Sequence, residues 1–212
     1  MQTLHTPITS LKEKQRHERE ELIIQAAEEV LQEKGYYETS MDEIAARVGI
    51  AKGTIYTHFT GKEELVLAIF KRDMQAFIES IDDVIGVEPT PSAKLEALLQ
   101  FIYTGFFSKH TRLLSSIYNG VDVKRMLAEK GGSMRDLWQC LISHVTQLLE
   151  EGKAAGELNS SIPTKVMLFS FFSLVSPKSY DHLLLGEDLS HEDLVKHLWR
   201  IYFNGIANHE TA

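Results

Sequence analysis

The chain has 212 residues, 43% of them hydrophobic, with 30 acidic against 22 basic side chains and a formal net charge of −8. That length allows one large domain or a small head with a larger body, and the apolar content is enough for a core. The acidic balance excludes a nonspecific nucleic-acid coat, although sequence-specific binding depends on local potential and stays open.

The N-terminus is polar and charged, without the apolar run of a signal peptide. Lys12, Lys14, Arg16 and Arg19 alternate with Glu13, Glu18, Glu20 and Glu21. The basic set suits an arm that reaches a phosphate or the minor groove. The mixed run favours a solvated extension of the first helix. Residues 1–62 hold 8 basic and 10 acidic side chains, so charge in this region must be sorted by face.

Ser40 to Lys62, SMDEIAARVGIAKGTIYTHFTGK, carries the strongest signal. Ser40 with Glu43 is a capping-box pattern that opens a helix. Ile44, Ala45 and Val48 fall at helical spacing, and Gly49 supplies the left-handed residue that ends it. Ile50 is expected to plug the turn. Lys52 to Phe59 then reads as a second helix, with Ile55 and Phe59 toward the core and Lys52, Gly53, Thr54, Tyr56, Thr57 and His58 on other faces. This is the layout of a helix-turn-helix, which presents its second helix to the major groove. Lysine supplies phosphate charge, hydroxyls donate to phosphates or base edges, and Gly53 lets the backbone come close. From Ile44 to Lys62 there are three basic residues, Arg47, Lys52 and Lys62, and no acidic ones. Thr60, with Glu63 three residues on, is expected to cap the next helix, with Lys62 in its first turn.

Beyond it, 65–85 reads as a long helix broken by Gly86 and Pro89-Thr90-Pro91. Ser92 opens a helix with Leu95, Leu98, Leu99, Ile102 and Phe106. Shorter helical pieces follow at 111–118 and 121–130. Ser133 with Asp136 caps a helix over about 134–153, closed by Gly156. An apolar segment runs from Pro163 to Val175, too short to span a bilayer. Ser190 with Asp193 caps a last helix that reaches about Ala207. No strand pattern or repeat stands out, so the fold class is all-α.

The motif residues, preceded by Ile23-Ile24-Gln25-Ala26-Ala27, Leu31, Gly35-Tyr36 and Thr39-Ser40 and followed by Lys62-Glu63-Glu64-Leu65, strongly resemble the DNA-binding domain of the TetR (tetracycline-repressor) family of bacterial transcription regulators. The match covers about a quarter of the chain in order and spacing. Ala51 departs from it, since many members carry serine or threonine there; alanine offers no side-chain cap. The resemblance implies a three-helix DNA-binding head at 1–64 (core 19–64) and a helical effector-binding and dimerisation body at 65–212. It implies that Thr39, Lys52, Tyr56, His58 and Lys62 mainly touch phosphates and that Gly53, Thr54 and Thr57 lie nearest base edges; Ser40 joins the expected DNA-facing set. It also implies that the last two helices pair with their mates in a homodimer, for which Phe171, Leu194, Leu198, Trp199 and Tyr202 are the expected interface residues. A cavity for a small-molecule effector is expected in the body, lined by Phe101, Phe106, Tyr118, Trp138, Leu141, His144, Phe169 and Phe172. Such an aromatic lining suits a largely apolar effector.

The functional expectation is a DNA-binding transcriptional regulator, a repressor released from an inverted-repeat operator by its effector. The alternative is an architectural DNA-binding dimer without a ligand. Neither a cofactor nor a metal is expected, nor a membrane partner. His191-Glu192 does not begin a His-Glu-x-x-His site, because Val195 takes the second histidine's place. Cys140 and His144 share a helix face but are too few for a structural zinc. No nucleophile elbow, phosphate-cradling loop or carboxylate pair marks an enzyme. A lone cysteine excludes an internal disulfide and fits a reducing, cytoplasmic setting.

Overall fold

The computed structural model describes residues 11–107, 132–174 and 191–207. In order come α1 (Leu11–Glu38), α2 (Met41–Val48), α3 (Lys52–Ile55), α4 (Lys62–Gly86) and α5 (Pro91–Phe101), then a π-helical turn (Ile102–Phe107). After these come α6 (Gly132–Ala154), α7 (Thr164–Leu174) and α8 (His191–Ile206). The expected short helices at 111–118 and 121–130, and Tyr118, lie outside the described residues. The chain divides into two compact units, with the boundary after Phe70 inside α4.

In the first unit, α1 buries Ile23, Ala27, Val30 and Leu31, and α2 adds Ile44 and Ala45. Ile55, Phe59, Leu65 and Ile69 complete the buried apolar set. Each boundary has a local cause. Gly35 takes φ +79° and kinks the end of α1. Ser40 accepts the Glu43 N–H at 3.2 Å, and Gly49 closes α2 at φ +76°. The return half of the capping box goes elsewhere, because the Glu43 carboxylate receives Lys34 at 2.5 Å.

Several expected boundaries move. The second motif helix ends at Ile55 rather than Phe59. Ala51 caps nothing, and Thr57 N–H and His58 N–H turn back onto Thr54 and Ile55 carbonyls, three residues earlier. These tighter turns bring Phe59 into the core, where it is buried. Thr60 bonds Glu64, not Glu63, through both its N–H and its hydroxyl, at 2.7 Å each. Thr90, not Ser92, caps α5, with Pro91 in the first turn, where its missing N–H costs nothing. α6 starts at Gly132, one residue before the expected Ser133 cap.

In the second unit, α5 packs on α6, α6 on α7, and α8 on both α5 and α7. Leu95, Leu98 and Leu99 of α5 and Leu141, Val145, Leu148 and Leu149 of α6 are buried. The turn after α6 is pinned three ways. Gly156 takes φ +75°, Glu157 accepts the Ser92 N–H at 3.0 Å, and Leu158 forms an isolated antiparallel bridge with Ala207. No described helix is long and apolar enough to cross a membrane.

Candidate nucleic-acid interface

α3 is a single turn held by its neighbours. Only Ile55 of its four residues is buried; Lys52 and Gly53 are exposed and Thr54 is half-buried. Tyr56 and Thr57, just past its end, are also exposed. The Thr57 hydroxyl donates to the Thr54 carbonyl at 2.6 Å, which fixes its rotamer while its oxygen can still accept. Ser40, at the start of α2, is exposed with its hydroxyl hydrogen uncommitted by the cap it makes. A Cβ built on Gly53 meets nothing within 4 Å, and Gly53 is not in the left-handed region. The fold therefore has no use for a glycine there.

Three residues expected to touch phosphates have side chains committed inside the protein. Thr39 is 3% exposed and donates to the Gly35 carbonyl at 2.7 Å, closing the kink at the end of α1. The His58 side chain is 6% exposed, with Nδ1 at 3.2 Å from a Glu20 carboxylate oxygen. Lys62 donates to the Tyr36 carbonyl at 2.7 Å and lies 4.6 Å from the centre of the Tyr36 ring. Burial, with the Glu63 carboxylate beside it, pushes the Tyr36 hydroxyl up to about 12.

The stretch from Ile44 to Lys62 is free of acids in sequence but not in space. Arg47 grips Glu33 of α1 through two bonds of 2.6 and 2.8 Å, and this bond raises the guanidinium's pKa and lowers that of Glu33. Lys52 meets Asp42 of α2 at 2.6 Å, and that hydrogen bond raises the lysine's pKa. Both Lys52 and Asp42 are more than half exposed, so water screens the pair and a competing anion can replace Asp42 cheaply.

Residues 23–69 match the family model for bacterial regulatory proteins of the tetR family. That segment is a TetR-family DNA-binding domain. The chain is 27% identical over 158 residues to the fatty acid metabolism regulator protein of Bacillus subtilis, spanning 72% of this chain and 77% of that one. Among solved structures it resembles the Bacillus subtilis transcriptional regulator FadR in complex with stearoyl-CoA, with a TM-score of 0.67 and 22% identity over 88% of this chain and 98% of that one. A regulator from Saccharomonospora viridis in complex with choline aligns with a TM-score of 0.74 at 14% identity, covering 90% of this chain and 98% of that one. The chain is a transcriptional regulator of the TetR type: an all-α protein with an N-terminal helix-turn-helix and a C-terminal helical region, and not an enzyme.

The C-terminal helices redistribute the residues expected at a TetR-type dimer interface and effector cavity. Phe171 is wholly buried, edge-on to Phe172 and Tyr202, and so belongs to the protomer core. Trp199 and Tyr202 are each 6% exposed, and the Tyr202 hydroxyl donates to the Met167 carbonyl at 2.9 Å; burial pushes that hydroxyl's pKa up. Phe171 and Tyr202 tie α7 to α8 within one chain, and Trp199 packs on Tyr202 from the same helix. Phe169, expected in the cavity, is 76% exposed, with Val166 at 52% and Ile201 on α8 at 70%. Leu198 is half-buried, and the Leu194 side chain lies outside the described residues. The signal for the exposed set was present. α7 is apolar on opposite faces, with Met167 and Phe171 on one and Val166 and Phe169 on the other.

Of the remaining cavity candidates, Phe101 is half-buried and stacks on Phe77 at 4.6 Å. Leu141 is buried, and Trp138 meets Phe172 edge-on at 6.4 Å. His144 is partly exposed, with Nδ1 at 2.9 Å from the Cys140 carbonyl and Nε2 at 3.7 Å from Asp82. Phe106 lies in the π-helical turn, its side chain outside the described residues. Among the described residues, no group of His, Cys, Asp and Glu is arranged to hold a metal.

Proposed function

We propose that this regulator is a homodimeric repressor that reads an inverted-repeat operator with α3 and leaves it when the body binds a largely apolar effector. Gly53 carries the reading. The protein leaves open space at that position, and a glycine inside a helix costs up to about 1 kcal/mol relative to alanine. A duplex backbone pressed against α3 supplies the missing reason. Around it, Lys52, Tyr56 and Ser40 face phosphates, and Thr54 and Thr57 face base edges. Thr39, His58 and Lys62 hold the head's shape. The head is assigned to 1–64 and the body to 65–212.

The exposed apolar side chains Val166 and Phe169 on α7 and Ile201 on α8 support dimerisation, because exposed apolar surface marks interaction sites. Twofold symmetry then matches two heads to two half-sites ~34–36 Å apart or a multiple. The effector would sit among Phe101, Trp138, Leu141 and Phe172. The π-helical turn that follows Phe101 is a geometry frequent at functional sites. The stearoyl-CoA bound by the similar Bacillus subtilis regulator makes a long-chain acyl thioester the first compound to test. Such a ligand acts by preferring a head spacing the operator does not fit.

Selection from a random duplex pool tests this, with purified protein at fixed salt. One enriched inverted repeat, released on adding a long-chain acyl thioester, is the expected result. A folded dimer that enriches no sequence refutes the DNA-reading assignment.

A further inference from the structure

We propose that the N-terminal end of α1 forms a second DNA contact, in which Lys12, Arg16 and Arg19 bind backbone phosphates flanking the bases read by α3. This rests on the DNA-reading function just proposed. Lys12, Arg16, Arg19, Ile23, Ala26 and Val30 follow one line along α1, at spacings of four, three, four, three and four. The line is apolar and buried at Ile23 (0% exposed), Ala26 (6%) and Val30 (0%), where it faces the rest of the head. It turns basic and exposed at 12, 16 and 19, where the helix outruns the core. A solvated extension has no need to keep its cations on the continuation of its own buried face.

The switch point touches the reading element. Glu20 takes Arg16 at 2.9 Å on one side and His58 at 3.2 Å on the other. The basic end of α1 is thereby joined to the residue next to Thr57. Burial alone would raise the Glu20 carboxyl, but the bonds from Arg16 and His58 outweigh it and hold its pKa below the ordinary value. Glu20 stays an anion that anchors the arm. Lys12 lies two helical turns beyond Glu20, about 12 Å along the axis, enough to reach the backbone next to the groove that α3 enters. Glu18 and Glu21 point to other faces of the helix, as does Lys14, which has the same charge as Lys12 two residues away.

The test uses the operator recovered from the pool, full-length protein, and affinities measured across a salt series. Lys12→Gln with Arg19→Gln should lower the log–log salt slope by about 0.9 per lost phosphate contact and weaken binding at low salt by roughly tenfold or more. Lys14→Gln should leave both unchanged. Trimming the operator's flanks should remove the difference between wild type and the double variant. A double variant with the wild-type slope, while Lys52→Ala lowers it, overturns the second contact alone. So does a Lys14→Gln loss equal to that of each stripe residue, which would mean a diffuse field rather than a docked face. A wild-type protein that prefers no sequence overturns the DNA-reading function and this contact with it.

Discussion

The head and the C-terminal helix pair solve the same problem with opposite materials. Around α2 and α3 the buried apolar core is ringed by polar ties: Arg47 to Glu33, Lys34 to Glu43, Lys62 to the Tyr36 carbonyl, His58 to Glu20. Between α7 and α8 the tie is aromatic, with Phe171 edge-on to Tyr202 across the two helices and Trp199 packed on Tyr202. In each region the residues offered outward are those the local fold does not require. In the head these are Lys52, Gly53, Tyr56 and Thr57; in the helix pair, Val166, Phe169 and Ile201. Where side chains are spent on holding the fold, function has to be sought among the ones left over.

That contrast can be broken most directly in the aromatic region. Phe171→Ala should destabilise the protomer by about 3–5 kcal/mol in chemical unfolding, as large core truncations do. Phe169→Asp should keep helical content by circular dichroism yet shift light scattering from dimer to monomer. A stable dimer carrying Phe169→Asp would remove the patch as its interface. Next in size is Gly152→Ala, whose new Cβ would stand 2.7 Å from Leu158 Cδ1 beside the pinned turn. It should cost about 1–3 kcal/mol by overpacking, read as a lower unfolding midpoint.

Gly53→Ala sharpens the comparison from the other side. Its thermal midpoint should stay level or rise, by up to about 1 kcal/mol in stability, while operator affinity falls. A variant that binds as well as wild type would show that the open space at Gly53 serves no partner. The smallest effect is on acid stability. The Glu20 carboxyl is held below 4.5 in the folded chain, so its contribution is full above that pH and drains away as pH falls through the lowered value. Glu20→Gln should flatten that part of the acid unfolding profile.

Local chemistry made much of this legible. The Ser40 cap and the glycine stops at Gly49, Gly86 and Gly156 are decided within a turn or two of chain, and each stands where the sequence puts it. The length of α3 was not legible, because it depends on Phe59 being drawn into a core assembled from distant residues. Charge misled for the same reason: Arg47 and Lys52 look unopposed along the chain, and Glu33 and Asp42 reach them across space. On α7, apolar residues on opposite faces hide which side is covered: Phe171 is buried and Phe169 exposed, and the periodicity alone does not separate them.

The Lys52–Asp42 pair carries a last consequence, for how such a head searches a genome. A phosphate that captures Lys52 must first displace a carboxylate, so its gain is only the difference between two anions. That lowers attraction to any duplex, whatever its sequence, and leaves contacts to base edges untouched. Fewer molecules are then stranded on irrelevant DNA, and Asp42→Asn should tighten random duplexes and the operator by a similar factor.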